Sequence, residues 1–278
     1  MPFPGASAEA TLAAVDAALA RCAGSPTFAL LDHITSQPAL VLPIKEMVAL
    51  CRRQNVQVAV DGAHGFGHVP LDVAEIGADF YYTNLHKWGF APTAVTALAA
   101  ADASLLAQTH HVIPSWEAGA GLAVESRWPG TRDFSAALSV PAALEYGSAW
   151  RSTADETAMD FTARRYRESA RMLEESWDVP PTHEDAGMAA AMGMVRLPRA
   201  LDVRETPGVP ADDTSVRTRL RSEHGIEAAI GAFPDPLLDG RSTGFIRLSS
   251  AVYNTEEEYG RLRDAVLELA ESRGDKSG

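Results

Sequence analysis

Two successive short apolar segments in this chain end in reactive side chains. Residues 56–60 (Val-Gln-Val-Ala-Val) close on Asp61-Gly62-Ala63-His64, and residues 79–83, after Gly77-Ala78, close on Asn84-Leu85-His86-Lys87-Trp88. Short apolar runs bounded by turn formers read as strands of a parallel sheet. An open α/β sheet collects its ligands at the carboxyl ends of such strands. The chain therefore sets a carboxylate and an amine at neighbouring strand ends, and helical crossovers must connect those strands.

The surrounding sequence supplies those helices. Residues 7–22 carry Leu12, Val15, Ala18 and Leu19 on one stripe, with Ser7 as N-cap and Gly24 as the stop. Residues 27–32 read as a strand buried on both faces, Pro43 opens a helix carrying Ile44, Met47, Val48 and Cys51, and residues 72–76 form a short helix. Residues 95–99 read as a further strand, and the Ala-rich stretch 97–107, broken by Asp102 and Ser104, as a strand end and a turn. The expected fold class is α/β, a mainly parallel sheet with helices on both faces in residues 1–149. A smaller C-terminal α+β domain is expected in residues 150–278. It begins with a helix over 154–177 containing Met159, Tyr166 and Leu173, stopped by Asp178-Val179-Pro180-Pro181. Strands are expected at 192–197, 226–230 and 244–249, an exposed loop at 204–215, and a last helix capped by Thr255 with Glu258, its stripe Tyr259, Leu262, Val266 and Leu269. The tail 271–278 reads as frayed.

Composition narrows the function classes. A formal net charge of −13 argues against nucleic acid and anionic membranes as partners. Only Cys22 and Cys51 occur, so no disulfide framework is indicated and a reducing, cytoplasmic compartment fits. The start, Met-Pro-Phe-Pro-Gly-Ala-Ser, lacks the basic and apolar regions of a signal peptide. No apolar stretch reaches the roughly 20 residues of a membrane span. His110-His111 and His183 lack partners at ligand spacing, so no metal site is expected. Gly65-Phe66-Gly67 lacks the third glycine of a dinucleotide fingerprint.

A strand-end lysine beside a strand-end carboxylate suits pyridoxal 5'-phosphate (PLP). The lysine holds the aldehyde as a Schiff base, and the carboxylate keeps the pyridine nitrogen protonated. Taken singly, the lysine would be a solvated charge, the Asp-Gly a turn, and His64 equally a plain buried imidazole. The motifs together resemble those of class V aminotransferase-fold PLP enzymes (fold type I), most closely the isopenicillin N epimerase-like branch. Pro2-Phe3-Pro4, Leu31-Asp32-His33-Ile34-Thr35-Ser36, Leu42-Pro43-Ile44-Lys45-Glu46, the Asp61 and Lys87 motifs, Trp128-Pro129-Gly130-Thr131-Arg132-Asp133, Arg247-Leu248-Ser249 and Tyr253-Asn254-Thr255 keep the family's order.

The resemblance implies a role for each matching position. Lys87 would be the catalytic, cofactor-bearing lysine and Asp61 the partner of the pyridine nitrogen. His64 would contact the cofactor's phenolic oxygen, with Ser36 near it where many relatives carry asparagine. Asn84 and His86 would contact the phosphate, and Thr131 the phosphate bound by the other subunit, implying a homodimer with composite sites. Arg247 would hold the α-carboxylate of the amino-acid or peptide substrate through two parallel hydrogen bonds. By residue type alone, Gly130-Thr131-Arg132-Asp133 could be an ordinary loop and Arg247 a surface ion pair.

The reaction expected is epimerisation, C–S cleavage or amino transfer at Cα. The absence of any cysteine after Cys51 argues against a persulfide mechanism. Family members also carry a portion ahead of Pro2-Phe3-Pro4 that supplies a phosphate-binding helix start and a ring-stacking side chain, with no counterpart here. The alternative expectation is therefore a non-catalytic remnant or partner subunit, or a chain whose start is assigned too late.

Overall fold

Alternating helix and strand signals resolve into two sheets in the computed structural model, which describes residues 7–22, 28–128, 130–182, 186–204, 212, 214–235, 237 and 241–274. Pro2-Phe3-Pro4, Gly24, Pro129 and His183 lie outside the described residues, as do most of the loop expected at 204–215 and the end of the tail. The chain divides into two compact units. One comprises Leu12–Ile34 and Leu42–Trp150, and the other Met1–Thr11, Thr35–Val41 and Arg151–Gly278.

The first of these units holds a four-stranded sheet in the order β1 (Phe28–Asp32), β2 (Gln57–Asp61), β3 (Phe80–Asn84), β4 (Thr96–Ala100). β1, β2 and β3 run parallel, and β4 returns antiparallel to β3. The crossover helix Ile44–Arg53 buries Ile44, Met47, Val48 and Cys51, and Ile44, Val48 and Cys51 share a core cluster with Val58 and Val60 of β2. Helix Val73–Ile76 begins where the Asp72 side chain accepts the Glu75 N–H and stops at Gly77, whose φ of 73° is left-handed. Its brevity drops the chain straight into β3, so Asp61 and the Lys87 turn leave adjacent strands on the same sheet end.

Two expectations change here. β1 is not buried on both faces: it is an edge strand of the sheet among the described residues, and Phe28 and Leu30 are 54% and 62% exposed. An apolar run reports strand formation but not whether both faces are covered. The Ala-rich stretch after β4 is a helix, Ala103–Gln108, because Asp102 accepts the N–H groups of Ser104 and Leu105 and so starts a helix where a turn was expected.

The other unit holds the antiparallel sheet β5 (Met192–Arg196), β7 (Ser242–Ser249), β6 (Ala229–Pro234), with β7 central. Helix Ala158–Ser176 opens with a Thr157–Asp160 capping box, and helix Glu256–Gly274 opens with the Thr255–Glu258 pair. Leu173, Leu220, Ile246 and Val266 are fully buried in their common core, each contributing about 1.5–3 kcal/mol. Helix Val216–His224, capped by Ser215 and closed at Gly225, was not anticipated, because Arg and Glu residues dilute its apolar stripe to Val216 and Leu220.

Candidate active site

Asp61 is the last residue of β2. Its register partners are Asp32 at the end of β1 and Tyr82 in β3, so three polar side chains gather at one sheet end. Asp61 Oδ1 accepts the Ala63 N–H at 2.9 Å, which fixes the turn that carries His64. The Tyr82 hydroxyl, hydrogen-bonded to the Asp61 carboxylate, is pushed up to about 12, by burial first and then by that carboxylate. Burial and the neighbouring Asp61 charge also raise the Asp32 carboxyl.

Lys87 lies in the helical turn Leu85–Trp88 that directly follows β3. Its Nζ is 3.0 Å from His64 Nε2, and the Trp88 indole N–H donates to His64 Nδ1 at 3.2 Å. His64 is buried, whereas Lys87 reaches solvent. Trp88 also stacks on the buried His68, ring centroids 4.1 Å apart and planes within 14°. His68 Nδ1 meets the His64 carbonyl at 3.0 Å. Burial lowers His68 to about 4, so its ring is neutral and donates that bond. Trp88 and His68 were missed in the sequence. The available signal was the four-residue spacing from His64 to His68, which alone does not announce a contact with Trp88.

The other positions fall as follows. Asn84 ends β3 and its Oδ1 accepts the Thr96 hydroxyl at 2.8 Å. His86 Nδ1 donates to the Val95 carbonyl at 3.1 Å, an arrangement that leaves Nε2 for a ligand. Thr131 is exposed, in the loop ahead of helix Ser135–Leu138. His110, expected to lack ligand partners, contacts Glu125 at 2.6 Å, and no metal-binding cluster of His, Cys, Asp and Glu occurs among the described residues.

Ser36 and Arg247 lie in the other unit and meet there. Arg247, on β7, donates from Nη1 to both the carbonyl oxygen and the hydroxyl of Ser36, each at 2.9 Å. Its Nε is buried and has no hydrogen-bond partner among the described residues. A guanidinium pinned at one nitrogen, with an unsatisfied donor beside it, can receive a carboxylate. In this structure Ser36 serves that arginine.

The donor set fits PLP. It contains an accessible amine in contact with an imidazole, a carboxylate at the adjacent strand end for a ring nitrogen, and polar groups around the β3 turn for a phosphate. The family model for aminotransferase class-V matches residues 11–189. A probable chloroplastic L-cysteine desulfhydrase of Arabidopsis thaliana is 45% identical over 86% of this chain and 50% of its own length. An isopenicillin N epimerase of Amycolatopsis lactamdurans is 29% identical over 92% of this chain and 63% of its own. The chain thus spans between half and two thirds of these relatives. Among solved structures, SPT with PLP superposes with a TM-score of 0.61 at 14% identity, covering 95% of this chain and 60% of that one. The chain belongs to the class-V aminotransferase family, whose cofactor is PLP.

Proposed function

We propose that the chain works with PLP at the Cα of an amino acid, and that the reaction is C–S cleavage of a cysteine-type substrate. The observation that carries this reading is the Lys87–His64 contact in the turn after β3, one strand away from the Asp61 carboxylate. PLP supplies a sink for the electron pair left at Cα when a bond to it breaks. Lys87 attaches the cofactor and, as a free amine, takes the Cα proton. Asp61, held by the Ala63 N–H and the Tyr82 hydroxyl, partners the pyridine nitrogen, and His64 and Ser36 are the candidates for its phenolic oxygen. Asn84 and His86 hold the phosphate, with Thr131 acting across a homodimer. Arg247 receives the substrate carboxylate.

C–S cleavage is preferred because the 45% identical relative is named a probable L-cysteine desulfhydrase. The absence of a cysteine after Cys51 supports direct release of sulfide over transfer to a protein thiol. Cysteine and water then become pyruvate, ammonia and hydrogen sulfide, with the Cα–H, Cβ–S and Cα–N bonds broken. Epimerisation is the second reading, supported by similarity to an epimerase over most of the chain. It shares proton removal at Cα but returns the proton and keeps Cβ intact. That the sequence carries Lys87, Asp61 and Arg247, each at its motif position, supports a catalytic chain over a remnant. Two free cysteines fit a cytoplasmic setting, and no described helix is long and apolar enough to cross a membrane.

The test is the visible absorbance of the full chain after incubation with PLP and gel filtration, beside Lys87→Ala. A retained band in the parent, lost in the variant, with sulfide and pyruvate released from L-cysteine, is the expected result. A band equal in both proteins removes Lys87 from the site, and racemised amino acid without sulfide moves the reaction to epimerisation.

A further inference from the structure

We propose that Trp88 is a positioning residue whose indole N–H fixes His64 as the Nε2–H tautomer, so that the imidazole aims a hydrogen-bond donor at Lys87 Nζ. The indole nitrogen only donates. Its 3.2 Å bond to His64 Nδ1 requires a lone pair there. A neutral imidazole carries one ring proton, which must then sit on Nε2, the atom 3.0 Å from Lys87 Nζ. That proton has an acceptor when the lysine is an unprotonated amine with its lone pair turned toward His64. The opposite tautomer would set two N–H groups against each other at Trp88 and offer Nε2 as an acceptor to an ammonium.

The indole is held so that it cannot swing away. One face is stacked on His68, which is in turn tied to the His64 carbonyl. The backbone interlocks as well. Gly67, at φ 75°, passes so close to the Trp88 carbonyl oxygen that a Cβ would lie 2.5 Å from it, and a Cβ on Gly89 would lie 2.8 Å from the Leu85 carbonyl oxygen. The segment 64–68 and the turn 85–89 therefore form one rigid piece, and the tautomer follows from its shape. The consequence is a lysine favoured in the nucleophilic, free-base form. For its value in catalysis this rests on the role of Lys87 proposed above, but the tautomer is a property of the protein alone.

The experiment uses the full chain stripped of cofactor, labelled with 15N-histidine, in the parent and in Trp88→Phe, which keeps an aromatic ring against His68 and deletes the donor. His64→Gln identifies the His64 signals. The parent is expected to show an unprotonated Nδ1 and a protonated Nε2. Trp88→Phe is expected to show mixed tautomers and slower acylation of Lys87 by acetic anhydride at neutral pH, by roughly three- to tenfold, the range of one neutral hydrogen bond. A parent His64 protonated on Nδ1, or an unchanged tautomer and labelling rate in Trp88→Phe, overturns the proposal. If Trp88→Phe does not fold, the parent tautomer decides. A correct tautomer in a protein whose PLP band survives Lys87→Ala would separate the two readings, sinking the function and leaving this inference standing.

Discussion

The Tyr81 hydroxyl sits 2.9 Å from His33 Nδ1 and occupies the space where two glycines lack side chains. A Cβ on Gly62 would lie 2.1 Å from Tyr81 Cζ, and one on Gly65 would lie 2.0 Å from the hydroxyl oxygen. Those glycines flank His64, so the turn that presents the imidazole is shaped by a buried phenol one strand away.

Gly62→Ala and Gly65→Ala should therefore each lower stability by about 1–3 kcal/mol, the usual range for overpacking. The two differ in their cure. In a Tyr81→Phe background the clash at Gly65 should fall away, since only the oxygen is within 3 Å, whereas Gly62 still meets the ring carbon. Urea unfolding of the four variants tests this. Equal rescue of both alanines would contradict the packing described.

Acid should weaken the fold through His33 and His68. Burial lowers each to about 4 from an ordinary value near 6.5. Below about pH 6.5 the unfolded chain takes up protons that the folded rings refuse until about pH 4. Stability is therefore complete above 6.5 and falls as the pH drops across that window, by at most about 3 kcal/mol per ring. Urea midpoints at pH 7.5 and 4.5 measure the slope. His68→Gln should flatten it, and an identical slope in that variant would show that the ring is not the source.

Much of this was legible in the sequence because local signals and tertiary fate agreed. Asp61 ends β2 and Lys87 lies in the turn directly after β3, and the Thr255–Glu258 cap and its stripe form as expected. What was not legible depended on non-local partners. Phe28 and Leu30 look like core residues in β1, but exposure is decided by what lies over the strand, which five residues cannot encode. Helix Val216–His224 hides because its surface arginines are satisfied by Glu223 and Glu227. The Trp88–His64 bond joins residues 24 apart in sequence, and no periodicity predicts which ring nitrogen an indole will meet.

The substrate-carboxylate role proposed for Arg247 can be tested separately from cofactor binding. Arg247→Lys keeps the charge but loses the planar fork, so KM for the amino acid should rise on the order of tenfold while the affinity for PLP stays as it was. Ser36→Ala removes one of the two acceptors at Nη1 and leaves the backbone carbonyl, and the expected rise is smaller, about two- to fivefold. Steady-state kinetics with PLP titration separates the effects. Loss of PLP affinity in Arg247→Lys would assign the arginine to the cofactor.

A buried ion pair lies away from these residues. Arg196, at the end of β5, meets Asp235 through Nε at 2.8 Å and Nη2 at 3.2 Å, and its Nη1 donates to the carbonyls of Pro180 and Pro181. Both side chains are almost wholly buried. The guanidinium thus fastens the proline breaker after helix Ala158–Ser176 to the sheet. Removing one charge strands the other away from water, so Asp235→Ala should cost about 3–5 kcal/mol. Replacing both, as Arg196→Met with Asp235→Leu, removes the desolvated charges together and should cost less than the single change, although the two proline carbonyls lose their donor. Urea unfolding of the full cycle decides the matter. A double variant as unstable as the sum of the singles would mean that Arg196 acts through the proline carbonyls and not through Asp235.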